Sequence, residues 1–197
     1  MKIIYKQLLS ALIFVTALIP AFSQTSGPQI TGIDPAVLTK ANAGDTASQA
    51  QVGDIYAAGL GVPKDYKQAA DWYMRAAWRG DLGAQLRLAA LFRDGGKGFP
   101  RDMAQAAAWY RKAAEQGEPS AQAALGILYS FGQGVPQSDV EAFYWLDLAA
   151  AVKGPNQEKY AASRQMIGTR ITTDELAAIQ DRVDKWLAAN RRPGPVR

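Results

Sequence analysis

The string Ala-x-x-Trp-Tyr/Leu-x-x-Ala-Ala occurs three times, at 69–77, 106–114 and 142–150. Its tryptophans, Trp72, Trp109 and Trp145, stand 37 and 36 residues apart. A fixed period of that size marks an array of helix pairs, in which each unit buries its apolar faces only against its neighbours. Such arrays present an extended surface to something else and rarely enclose a reaction centre.

The remainder of each unit keeps the same register. Gln49-x-x-Val52-Gly53-x-Ile55-Tyr56-x-x-Gly59 returns as Gln85-x-x-Leu88-Ala89-x-Leu91-Phe92-x-x-Gly95 and as Gln122-x-x-Leu125-Gly126-x-Leu128-Tyr129-x-x-Gly132. Apolar residues at i, i+3 and i+4 give each first helix one inward stripe. Gly53, Ala89 and Gly126 share one step, where a small residue admits a partner helix at up to ~1 kcal/mol of lost helix propensity per glycine. A glycine-proline loop follows each first helix, ending at Pro63, Pro100 and Pro136, and the second loop is one residue longer. Asp65-x-x-Gln68, Asp102-x-x-Gln105 and Ser138-x-x-Glu141 read as capping boxes that open the second helices. An acid that caps a helix is a structural group first, which counts against Asp65 and Asp102 as catalysts.

These signals divide the chain. Residues 45–80, 81–117 and 118–153 form three full units, and 34–44 reads as a degenerate capping unit that opens at Asp34-Pro35. Residues 154–190 hold two closing helices, one capped by Asn156 and one by a Thr172–Glu175 box, with Ile171 placed to staple Leu176. Residues 24–33 read as a flexible leader, and 191–197 as a basic tail carrying Arg191, Arg192 and Arg197.

Residues 1–23 have the pattern of an export signal: Lys2 and Lys6, an apolar run from Leu8 to Ile19, then Ala21-Phe22-Ser23 before the expected cut at Gln24. A membrane anchor needs about 20 apolar residues; this run is shorter and broken by Pro20. The expected location is therefore periplasmic or secreted, with no stable membrane anchor after cleavage.

Composition removes whole classes of chemistry. The chain has no cysteine and no histidine, so thiol nucleophiles, thiolate or imidazole metal sites and a histidine base are all excluded. The formal net charge is +4, half of it from Lys2 and Lys6, and no arginine-rich stripe suggests nucleic acid. No serine has a lysine three residues on, and no calcium-loop pattern occurs. Gly95-Gly96-Lys97-Gly98 lacks the Ser/Thr and the preceding strand of a phosphate loop. No catalytic, cofactor or metal residue is expected.

With these motifs in place, the chain resembles the Sel1-like repeat family, relatives of the tetratricopeptide repeats, over roughly Asp34 to Ala151. The resemblance implies an all-α fold: a right-handed superhelical solenoid of antiparallel helix pairs whose first helices line the concave side. It also implies a non-catalytic scaffold that mediates protein–protein or peptide interaction, often at the cell envelope. A cysteine-rich branch of the family is linked with cell-wall ligands; a chain without cysteine inherits nothing from it.

Candidate partner-binding residues are those the repeat frame does not need. Asp54, Arg87 and Arg93 fall between packing positions on the first helices, either to meet a partner or as solvated surface. Trp78 stands where the next unit has Glu115, and Phe131 where the others have Ala58 and Asp94. Each is a contact residue or packs on a neighbouring segment. The expected partner is a protein or peptide of the envelope. Peptidoglycan stacked on Trp78 or Phe131 is the alternative, and a cell-wall hydrolase a third.

Overall fold

The computed structural model describes residues 32–190. The expected export signal, residues 24–31 of the expected leader and the basic tail lie outside the described residues. Among the described residues there are nine α-helices, and the only strand-like pairing is a Gly96–Phe99 bridge in the longer loop. The helices are α1 (Pro35–Asn42), α2 (Thr46–Ala58), α3 (Tyr66–Ala77), α4 (Leu82–Asp94), α5 (Met103–Glu115), α6 (Pro119–Phe131), α7 (Asp139–Ala151), α8 (Gln157–Gly168) and α9 (Thr173–Ala189). Each packs on the next as far as α8, whereas α9 returns to pack on α7. The chain is an all-α solenoid of helix pairs.

Within a pair, close approach is made where the first helix has a small residue. A methyl group added to Gly126 would lie 2.8 Å from Leu146 Cγ and 3.0 Å from the Ala142 carbonyl oxygen. One added to Gly53 would meet the Tyr73 ring at 2.5 Å. The turn from the first helix to the second within the pair needs a left-handed residue, supplied by Gly59 (φ 75°) and Gly132 (φ 64°). The three tryptophans are buried, while Tyr56 and Phe92 are only half-buried against the core.

The second-helix caps differ from the boxes expected. Asp65, Asp102 and Ser138 accept from backbone amides of the first turn, as caps should. The return bond from Gln68, Gln105 or Glu141 is missing, because each cap's own amide is already taken. Asp65, Asp102 and Ser138 donate instead to the carbonyls of Tyr56, Phe92 and Tyr129, at 3.0, 2.8 and 3.0 Å. The cap thereby ties the second helix to its own first helix. Thr172–Glu175 makes the complete box. Asn156 makes no side-chain cap bond, and Leu176 is exposed instead of stapled.

Between units a second device repeats. The buried side chains of Gln49, Gln85 and Gln122 donate from Nε2 to the carbonyls of Ala41, Ala77 and Ala114, at 3.0, 3.1 and 3.2 Å. Each bond runs from the start of a first helix to the end of the second helix before it. Gln157 of α8 repeats it on Ala150 at 3.1 Å, one residue out of step. So α1 behaves as a second helix and α8 as a first helix.

α7 is enclosed all round: every residue from Ala142 to Ala150 is buried. Where Asp71 and Arg75 of α3 face solvent, α7 has Tyr144 and Leu148, and α9 covers them with Ile179 and Val183. Arg182 anchors α9 with two bonds to Glu141, at 2.8 and 3.2 Å, and lies 4.2 Å above the Tyr144 ring. Arg164 of α8 pairs with the buried Asp147 at 2.5 Å.

Gly126→Val is expected to destabilise the fold by about 2–3 kcal/mol, because neither Leu146 nor a helix carbonyl can retreat. Urea unfolding measures this. A loss below ~1 kcal/mol would show that α6 and α7 have room between them.

Candidate partner-binding face

Residues spaced i, i+4, i+7, i+11 lie on one side of a helix. On each first helix that stripe is exposed or half-buried. α2 presents Ala47, Gln51, Asp54 and Ala58. α4 presents Gly83, Arg87, Ala90 and Asp94. α6 presents Ser120, Ala124, Ile127 and Phe131, and no residue of α6 is charged. The face therefore passes from polar through charged to apolar along the array.

Its charges are largely paired. Arg87 Nε lies 2.8 Å from Asp54 Oδ1, and the same oxygen accepts a bond from the Tyr73 hydroxyl at 2.8 Å. Burial pushes the Tyr73 phenol far up, and the Asp54 carboxylate beside it adds to the shift. Both members of the ion pair are nearly half exposed, so its stabilising value is small, ~0.2–1 kcal/mol; it orders the surface where units one and two meet.

Arg93 donates to both oxygens of Asp94, at 2.7 and 2.9 Å, and from Nη1 to the Tyr110 hydroxyl at 2.9 Å. The Arg93 bonds hold the Asp94 carboxyl below its usual range, and Asp94 in turn raises Arg93. Burial raises the Tyr110 phenol.

Beyond that cluster the surface opens into a depression of about 420 Å³ between α4, α5 and α6. Its polar lining comes from Arg93, Asp94, Tyr110 and Arg101, and its apolar lining includes Ile127 and Leu128. Ile127 is 42% exposed and Phe131, one turn on, 70% exposed.

Trp78 is elsewhere. It caps the end of α3, 64% exposed, with its ring centroid 5.0 Å from that of Trp109 at an interplanar angle of 73° and Lys112 Nζ 4.8 Å above it. The ends of second helices and the ends of first helices lie at opposite edges of an antiparallel array. A 13-residue helix separates those edges by roughly 20 Å. The structure thus brings Asp54, Arg87 and Phe131 onto one face, places Arg93 at its edge toward Tyr110 of α5, and leaves Trp78 apart from them. It adds Asp94, Arg101 and Ile127, which sequence reasoning passed over although the absence of charge in α6 was visible.

Among the described residues no set of three or more potential metal-ligating acids gathers, and no helix is long and apolar enough to cross a membrane.

The model of the Sel1 repeat matches residues 46–81, 83–118 and 119–151. Among solved structures, the chain is similar to a Sel1 repeat protein from Oxalobacter formigenes, at 31% identity and a TM-score of 0.55, covering 63% of this chain and 92% of that one. It is also similar to a protective antigen present in uropathogenic Escherichia coli strains that displays an SLR fold, at 26% identity and a TM-score of 0.49. That match covers 77% of this chain and 40% of the antigen. The sequence matches no curated protein. The three matched repeats span more than half of the chain, and the chain belongs to the Sel1 repeat family.

Proposed function

We propose that this chain is an exported, non-catalytic scaffold of the cell envelope that holds a segment of a protein partner on its first-helix face. Sel1 repeat proteins generally mediate protein–protein interaction. The observation that carries the reading to this face is α6. It is a helix without charge, and it exposes Ile127 and Phe131 beside a depression of about 420 Å³. Exposed aromatic and aliphatic anchors next to a pocket are how most interfaces concentrate their binding energy. The face is held by the repeat frame and by the Asp54–Arg87 and Arg93–Asp94 pairs. Little has to be ordered when a partner arrives, which favours affinity.

The rival readings draw less support. A sugar platform needs aromatic rings side by side, and Trp78 and Phe131 stand at opposite edges. A glycosidase needs two carboxyl groups facing one cleft, and the two acids of this face, Asp54 and Asp94, are each paired with an arginine. Export rests on the pattern of residues 1–23.

Two outcomes are expected. A photo-crosslinking residue at position 131, in cells of the native host, gives a discrete protein adduct that Ile127→Asp abolishes; the same probe at Asp71, on the outer side of α3, gives none. Adducts from position 71 alone, or glycan adducts from 131, would move the binding face or change the partner class. The chain purified from the host envelope begins at Gln24 by mass spectrometry. A chain there that retains residues 1–23 would contradict cleavage.

A further inference from the structure

The three loops place a residue between proline and the second-helix cap: Lys64, Arg101 and Gln137. Gln137 spends its amide on the Ser130 carbonyl at 3.1 Å, closing its own loop, and Lys64 reaches the Tyr66 hydroxyl at 3.5 Å. Arg101 differs. Its one side-chain hydrogen bond among the described residues runs from Nε to the Met103 sulfur at 3.2 Å, a weak acceptor, and it forms no ion pair there. Residues 1–31 and 191–197 contain no Asp or Glu side chain that could pair with it.

The neighbouring carboxylates make no bond to it, although Arg101 lies near enough to Asp94 to help Arg93 hold that carboxyl low. Asp94 already receives both bonds of the Arg93 fork, at 2.7 and 2.9 Å, and Asp102 caps α5 at the Gln105 amide at 2.9 Å. The depression therefore holds two guanidiniums, Arg93 and Arg101, against the single carboxylate of Asp94. A guanidinium matches a carboxylate with two parallel bonds. The same depression is lined by Ile127 and Leu128, with Phe131 exposed one turn beyond Ile127.

We infer that this depression takes a peptide segment in which Asp or Glu adjoins a bulky apolar residue. Its carboxylate pairs with Arg101, and the apolar side chain lies on Ile127 and Phe131. Arg93 stays with Asp94 and Tyr110. The inference rests on the first-helix face being the binding face.

Selection of phage-displayed random heptapeptides on the purified chain tests it, with Phe131→Ala and Arg101→Glu in parallel. Both substitutions are at exposed positions, and circular dichroism confirms that each variant keeps its helices. The expected result is enrichment of an acidic residue next to Leu, Ile, Phe or Trp. Arg101→Ala then weakens an enriched synthetic peptide about fivefold. Arg101→Glu weakens it at least about tenfold and shifts selection toward Lys or Arg beside the apolar residue. Enriched peptides that are apolar but lack the acid, and that Phe131→Ala still abolishes, would overturn the carboxylate pairing and leave the binding face standing. Absence of enrichment, or enrichment untouched by Phe131→Ala, would overturn both.

Discussion

No unit of this chain can bury its own faces, so everything rests on how one unit is joined to the next. That join is made by a buried glutamine amide reaching the carbonyl at the end of the preceding second helix. It recurs at Gln49, Gln85 and Gln122, and again at Gln157. A buried amide N–H must find an acceptor or lose about 1–3 kcal/mol, so the Nε2 bond accepts one spacing and one rotation between units, while the amide oxygens of Gln49 and Gln122 have no partner among the described residues. The apolar contacts around it supply most of the stabilisation, but they are not directional. At the middle junction the device is doubled: Gln116 donates both to the Gln85 amide oxygen, at 2.8 Å, and to the Gly80 carbonyl, at 3.2 Å. The first-helix face inherits its register from these joins.

The array ends differently at its two sides. α1 is a short second helix whose Ala41 receives the first glutamine bond and whose Val37 and Leu38 pack beside Trp72. At the other side α9 folds back over α7, which leaves the first-helix face of α6 uncovered. The proposed binding surface and the stabilising contacts of α9 thus lie on opposite sides of the same unit. The outer side of unit three is sealed by Ile179, Val183 and Arg182, and its inner side leaves Ile127 and Phe131 exposed.

The repeat frame was legible because periodicity is a local property: identical residues at identical steps must make identical contacts. Gly53 and Gly126 could be read as sites of close approach for the same reason. Longer-range facts were not legible. The capping boxes looked complete within four residues, yet the carbonyls of Tyr56, Phe92 and Tyr129 had taken the cap amides, and those lie on another helix. The docking of α9 depends on Arg182 meeting Glu141, 41 residues away, although Tyr144 and Leu148 at positions elsewhere held by Asp71 and Arg75 were a usable sign that the outer face of α7 is covered. On the candidate face and at its edge, Asp54, Arg87, Arg93 and Phe131 were found by asking which residues the frame does not need. That question cannot report that Asp54 and Arg87 pair with each other, nor that Trp78, at the far edge, belongs to a different surface. Arg101 was hidden because it sits in a loop that reads only as a connection.

The central claim is that the glutamine bond fixes each join, and Gln85→Leu tests it most directly. Gln85 loses both its donor to Ala77 and its acceptor to Gln116, while the nearly isosteric leucine keeps the packing. Compared with the exposed control Gln105→Leu in urea unfolding, a loss of about 1–3 kcal/mol is expected. A shallower transition should accompany it as the units begin to melt separately. A midpoint within about 0.5 kcal/mol of the control, with an unchanged slope, would mean that apolar contact alone sets the join and that the buried amide is incidental.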